Sequence, residues 1–525
     1  MIIITITAYL ALLFTVAWLS GRRAGNATFF TGNRRSPWFV VAVGMIAAPM
    51  SGVSFVSVPG MVGASGWAYL QMAMGFVAGY MVIAFVLVPL LYRRRIVSVY
   101  EYLGERFGGS SHRTGAWFFF ASKMLGATVR IYLVCLVLQM LVFGPLGVPF
   151  AVNAGVMMAL VWLYTFRGGV RSIVWTDALK TLCLVASVGL SIWFISKELG
   201  LDFGGMAAAV RDSELSRVWF FDDVNDRRYF FKQFFSGLFV VVAMTGLDQD
   251  MMQLPLSCRS PRDSQKNFVM SGVLQFVVIA MFLSLGVLLN IFVSERGLAA
   301  PASGDELFPF VATGAGLPAV VGVVFALGLI ASTYSAAGSA LTALTTSFTV
   351  DILGAGLHTG LQSKPQGALR GGTGGAPDSP EAPGLPSAAE ARLSRTRRTV
   401  HACMAAAMVL VIMAFRALSS TSVIDAVYVL ASYTYGPILG MFVFGMATRR
   451  RVRDRWVPLV AVASPALCLV LDLNSGAWFG GYRFGYEILM LNALFTIIGL
   501  TIIIKKNYEP GKKDISGHYG RHEGA

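Results

Sequence analysis

The chain is 525 residues long, 56% of them hydrophobic and 13% charged, with a formal net charge of +15. So oily a composition makes it an integral membrane protein whose surroundings are the lipid bilayer. It excludes nucleic acid as the partner that the positive charge serves, because the basic residues sit in short clusters between apolar runs.

A bilayer span requires roughly 20 apolar residues. The first such run, Ile2 to Ser20, has no basic region before it and carries Arg22 and Arg23 after it, which marks a retained anchor rather than a cleaved signal peptide. The next, Phe39 to Val58, lies within "GMIAAPMSGVSFVSVPG" for most of its length. There Pro49 removes an amide donor and Gly52 loosens the chain beside Ser51, freeing carbonyls of the preceding turn around Ala47. Tyr69 to Tyr92 follows and ends at Arg93, Arg94 and Arg95. The span after it holds Arg130 in "KMLGATVRIYLVCLVLQ". An arginine at that depth faces the interior of a bundle, and its planar fork suits a carboxylate, either of a substrate or of a protein acid such as Asp177 or Asp248. Phe150 to Phe166 and Val174 to Ile195 come next. Asp177, near the start of the latter, is either a functional carboxylate or an interfacial partner of Arg171 and Lys180.

The acidic segment Glu198 to Arg228 interrupts the spans and reads as a solvated loop with a short helix. Beyond it, "VAMTGLDQDMMQ" (Val242 to Gln253) puts Gly246, Asp248, Gln249 and Asp250 inside an otherwise apolar stretch, five spans after the break at Pro49. Backbone that leaves helical geometry inside a bilayer must be buried in protein or line a wet cavity. Interrupted helices at corresponding positions of two halves point to a transporter with an inverted repeat and a site near the midplane. Farther on, "STYSAAGSALTALTTSFTVD" carries hydroxyls at Ser332, Ser335, Ser339, Thr342, Thr346 and Thr349, at steps of three and four that share one helical face. Those oxygens serve either a hard cation such as sodium or a helix contact, where Ser and Thr bond across the interface or back to their own helix.

Gly354 to Arg398 is rich in Gly, Pro and Ala and reads as a disordered linker. Its "GGTGGA" lacks the preceding strand and the lysine of a phosphate loop. Ile488 to Ile504 is the last of about thirteen spans. With the N-terminus outside, all the arginine clusters, including the one from Arg449 to Arg455, and the tail lysines fall in the cytoplasm. The cysteines Cys135, Cys183, Cys258, Cys403 and Cys468 have no paired spacing, so neither a disulfide framework nor a zinc site is expected. His518 and His522 have ligand-like spacing but lie in a polar tail. No nucleophile, base and orienter come together, so the chain is not expected to be an enzyme.

The stretch "YSAAGSALTALTTSFTVDIL" closely resembles the eighth core helix of the sodium/solute symporter family. Similar pieces occur in the family's order: "VSVYEYLGERFG", "GGVRSIVWTDALK" opening core helix 5, "TGLDQDMMQ" in core helix 6 and "YTYGPILGMFVFGMATRR" in core helix 10. The resemblance implies an all-α fold like that of the leucine transporter, two inverted five-helix repeats with one helix before and two after. On that frame the transporter domain is 1–506, with an extra helix at 1–20, the ten-helix core at 39–446, two further helices at 456–504, a cytoplasmic linker at 354–398 and a tail at 507–525.

The function implied is symport of a small organic solute with sodium, by alternating access, in the cell membrane and with no cofactor. A sensor that binds solute with little transport, or a proton-coupled symporter, is the alternative. The shared sodium site would use main-chain carbonyls of Ala47, Met50 and Ser332 and the hydroxyl of Ser335. Where the family carries a second hydroxyl this chain has Ala336, so weaker sodium binding is expected. A second cation site, present in some members, would fall on Asp177 and Ser339, and related sequences often carry Asp at the position of Gly338. The substrate cavity is expected around Ser51, Gly52, Arg130, Gly246, Asp248, Gln249 and Tyr433.

Overall fold

The computed structural model describes residues 38–47, 49–50, 52–94, 99–165, 170–256, 258, 260–353, 388–418 and 423–505, with positions 8, 11 and 15. Apart from isolated bridges such as Val452 to Ile504, their regular structure is entirely helical. Lipid leaves an apolar chain little choice, since a helix satisfies its backbone polar groups within the segment.

The order begins with α1 (Trp38–Ala47) and α2 (Gly52–Gly60), one span interrupted at Pro49 and Met50. Helix α3 (Ala68–Val82) continues through a π turn, Ile83–Leu87, to Val88–Arg94. Then come α4 (Gly109–Leu138), α5 (Phe150–Thr165) and α6 (Val170–Glu198). Helix α7 (Phe230–Val241) runs through a π turn, Val242–Gly246, and breaks at Leu247 and Asp248 before α8 (Gln249–Leu256) resumes the span. The rest are α9 (Pro261–Glu295), α10 (Ala319–Ser347), α11 (Ala388–Leu418), α12 (Val423–Ala447), α13 (Val457–Trp478) and α14 (Ile488–Ile502). Seven helical segments are long and apolar enough to cross a membrane, and four shorter apolar ones accompany them.

Most of the expected first span, the linker up to 387 and the tail beyond 505 lie outside the described residues. The linker expected to reach 398 stops sooner, because α11 begins at Ala388. The segment from Ala388, "AAEARL", is made of strong helix formers, which outweigh the low-complexity character of the residues before it.

Close backbone approach fixes α3 against α7. A Cβ on Gly75 would stand 2.0 Å from the Phe234 carbonyl oxygen, and one on Gly237 would stand 2.1 Å from that of Met72. Small residues permit such contacts between helices in membranes. Gly237→Ala is therefore expected to force the helices apart and cost about 1–3 kcal/mol, read as a fall in thermal midpoint. Gly155→Ala, where an added Cβ meets nothing within 4 Å, should leave the midpoint in place.

Helix α1, which leads into the first break, is held from two sides. Thr181 on α6 donates its hydroxyl to the Val43 carbonyl at 2.8 Å, and Ser271 on α9 donates to the Ala42 carbonyl at 3.2 Å. The segment between α6 and α7 folds over the α2–α3 end of the molecule. Its helix, Phe203–Asp212, is N-capped by Asp202, which accepts from the Gly205 amide at 2.7 Å. Phe220 is buried beneath the guanidinium groups of Arg217 and Arg228, 4.8 and 4.6 Å from its ring centre. Gln71 of α3 donates to the Arg228 carbonyl at 2.8 Å. The Arg228 guanidinium beside Asp226 also holds that carboxyl below the usual carboxylate range.

Candidate functional site

Helix α4 carries two cations within its apolar run, Lys123 and Arg130, seven residues apart and hence on one face. Lys123 is buried, 6% exposed, and its ammonium lies 3.0 Å from an oxygen of Asp248 and 3.0 Å from one of Asp250. Asp248 belongs to the second break and Asp250 to the first turn of α8 that follows it. Asp248 stands outside helical geometry and accepts from the amides of Asp250 (2.8 Å) and Met251 (3.3 Å), the pattern of a helix cap. Tyr435 of α12 donates its hydroxyl to Asp248 at 2.8 Å, and Ser339 of α10 donates to Asp250 at 2.9 Å. The carbonyl of Leu247, freed by the break, accepts from the Tyr100 hydroxyl at 2.8 Å. A buried charge is tolerated when paired and hydrogen-bonded in this way.

This network forms one side of a cavity that reaches both breaks. Pro49 and Met50 line it from the first, Thr245 and Asp248 from the second. Arg130, Asp177, Lys180 and Ser339 complete its polar wall, while Phe76, Ile131 and Ile279 supply apolar surface. A few convergent polar groups on an apolar lining are the usual make-up of a small-molecule site. Its free internal space is about 100 Å³, below the roughly 300–1,000 Å³ of pockets for drug-sized ligands. None of the ion pairs among the described residues involves Arg130, which is half-buried and faces the cavity.

Of the residues expected at the site, Met50, Arg130, Asp177, Asp248 and Ser339 line this cavity. Ala47 closes α1 just before the break and Gly52 opens α2 just after it. Gly246 packs instead against the π turn that follows α3, where a Cβ would meet Ile83 and Leu87. Gln249 turns away to accept from the Val99 amide at 2.7 Å, and Tyr433 donates to Asp472 of α13 at 2.9 Å. Ser51 and the side chains of Ser332, Ser335 and Ala336 lie outside the described residues.

The lower part of the hydroxyl stripe serves packing. Thr342 and Thr349 donate to the carbonyls of Gly338 and Thr345, four residues back, at 2.8 and 2.6 Å. Neighbouring Thr345 bonds the Leu341 carbonyl and, with Thr165 of α5, flanks the ring of His401 at 2.9 Å on each side. Back-bonding satisfies a hydroxyl where no water is available. Lys123, Tyr435 and Lys180 are the site residues that sequence reasoning missed or assigned elsewhere. The signal for Lys123 was present: it is a charge in the same apolar run as Arg130, two turns before it.

Two interrupted spans, an all-helical membrane architecture and a charged cavity between the breaks define a membrane carrier. Residues 29–354 match the sodium:solute symporter family, and the chain belongs to that family, one of transporters and not of enzymes. It is 23% identical over 348 residues to the human sodium/iodide cotransporter, a match covering 64% of this chain and 53% of that one. It is 22% identical over 351 residues to a sodium/sialic acid symporter of Proteus mirabilis, covering 65% of this chain and 68% of that one. The matched segments thus span about half to two thirds of these relatives. Among solved structures, the substrate-bound outward-open state of a Na+-coupled sialic acid symporter superimposes with a TM-score of 0.72 at 18% identity, covering 95% of this chain and 96% of that one. The fold is leucine-transporter-like.

Proposed function

We propose that the protein is a sodium-coupled symporter of a small organic anion in the cell membrane, working by alternating access around the cavity between the two breaks. The observation that carries this reading is the juxtaposition, in a chain of this family, of backbone freed at Pro49 and Asp248 with a cavity lined by Arg130. Two runs of five support the inverted repeat: α1–α2 through α6, and α7–α8 through α12, each opening on an interrupted helix. Seven long helices, four shorter ones and the α1–α2 pair account for twelve spans, to which the run Ile2 to Ser20 adds the thirteenth. Sodium is assigned to the carbonyls of Ala47, Met50 and Ser332 and the hydroxyl of Ser335. Sodium is a hard cation and prefers such oxygens.

The guanidinium of Arg130 is assigned to a substrate carboxylate, which its planar fork holds by two parallel hydrogen bonds. A thermal-shift screen of the purified protein against sugars, amino acids and carboxylates, with and without sodium, identifies the solute, since a ligand of the folded state raises its apparent stability. Carboxylates should stabilise and neutral sugars should not. Arg130→Lys keeps the charge but loses the fork. It should cut uptake of the stabilising carboxylate about tenfold or more while leaving protein abundance near wild type. Equal loss of uptake and abundance would assign Arg130 a structural role instead.

We place the N-terminus outside and the arginine clusters in the cytoplasm. A cysteine introduced near Asp222 should react with an impermeant thiol reagent in intact cells, whereas one near Gly372 should be protected. The reverse pattern overturns the orientation.

A further inference from the structure

Lys180 is the least exposed charged side chain among the described residues, at 1%, and it lines the cavity wall. Its ammonium nitrogen is buried without a hydrogen-bond partner among the described residues. An ammonium in that position costs several kcal/mol unless a nearby negative charge offsets it. The charged side chains that share its cavity wall include Asp177, three residues earlier on α6, Arg130 and Asp250. Asp250 is already engaged by Lys123 and Ser339. Asp177, one turn away on the same helix and lining the same cavity, is the carboxylate placed to offset the fixed charge of Lys180.

That wall is where the family resemblance implies a second cation site, built on Asp177 and Ser339 with, in related chains, a further carboxylate at position 338. Here Gly338 contributes no charge and Ser339 donates its hydroxyl to Asp250. The wall has one carboxylate fewer and holds a buried cation of its own. We propose that the Lys180 ammonium, covalently fixed to α6, takes the place of a second coupling sodium beside Asp177, so that this chain binds a single sodium. The inference rests on the reading of the chain as a sodium symporter.

The test uses sodium alone on the purified full-length protein. Binding of radioactive sodium should reach about one ion per chain in the wild type and about two in Lys180→Gln, because removing a like charge opens Asp177 to the ion. Lys180→Gln/Asp177→Asn should return to about one, and Lys180→Arg should remain at one. Sodium chloride, compared with choline chloride, should raise the thermal midpoint of Lys180→Gln more than that of the wild type. A monodisperse Lys180→Gln that binds no more sodium than the wild type overturns the proposal. Should Lys180→Gln not be monodisperse, Asp177→Asn decides. Unchanged binding in that variant supports the tethered cation, and loss of a bound sodium refutes it. If the wild type binds no sodium while Lys180→Gln binds one, the replacement of a cation by Lys180 stands, whereas the single-sodium stoichiometry and the sodium site at Ala47, Met50, Ser332 and Ser335 fall.

Discussion

Lys123→Ala is expected to destabilise the folded protein by about 3–5 kcal/mol, the range for removing one partner of a buried ion pair. The variant leaves Asp248 and Asp250 in a membrane interior with only Tyr435, Ser339 and backbone amides to answer them. Detergent-solubilised protein should show a large drop in thermal midpoint and a fall in the yield of monodisperse material. The cost comes from stranded charge, so neutralising the acids should recover much of it. Lys123→Met combined with Asp248→Asn and Asp250→Asn should be more stable than Lys123→Ala. A midpoint for Lys123→Ala within a degree or two of wild type would mean that water reaches the pair and the network does not hold the second break.

Ser335→Ala is expected to abolish sodium-stimulated uptake while leaving the protein folded. If Ser335 supplies the one side-chain oxygen of a sodium site otherwise built from carbonyls, its loss removes a ligand that backbone elsewhere cannot replace. The opposite change is informative because this chain has Ala336 where the family resemblance implies a second hydroxyl. Ala336→Ser should lower the sodium concentration for half-maximal stimulation by up to about tenfold, if the added ligand contributes about 1.4 kcal/mol. Uptake that ignores sodium in the wild type and in both variants, but follows a proton gradient, would remove the sodium assignment.

Much of the architecture is legible in the sequence because lipid imposes length and apolarity on every span. The two breaks are legible for the same reason: Pro49 and the polar run from Asp248 to Asp250 violate a rule that the surrounding residues obey. Arg130 announces itself by depth, and the same argument applies to Lys123, whose separation of seven places it on the same face. The rest depends on rotation and neighbours. Tyr433 and Tyr435 are two residues apart in one helix and point to different sides, one to Asp472 and the other to Asp248. Periodicity alone cannot tell which faces the cavity. The hydroxyl stripe poses the same difficulty, since Thr342 and Thr349 share the face of Ser339 yet bond their own helix. Lys180 reads in sequence as an interfacial partner of Asp177, and only the packing of α6 against α1 and α10 buries it.

On the proposed function, sodium drives solute movement through this cavity. Proteoliposomes containing the purified protein, given the carboxylate found by thermal shift, test it most directly. With sodium outside and choline inside, the solute should accumulate above its external concentration and then leak back as the gradient decays. With equal sodium on both sides it should only equilibrate. Accumulation that is the same with and without the sodium gradient would rule out sodium as the driving ion.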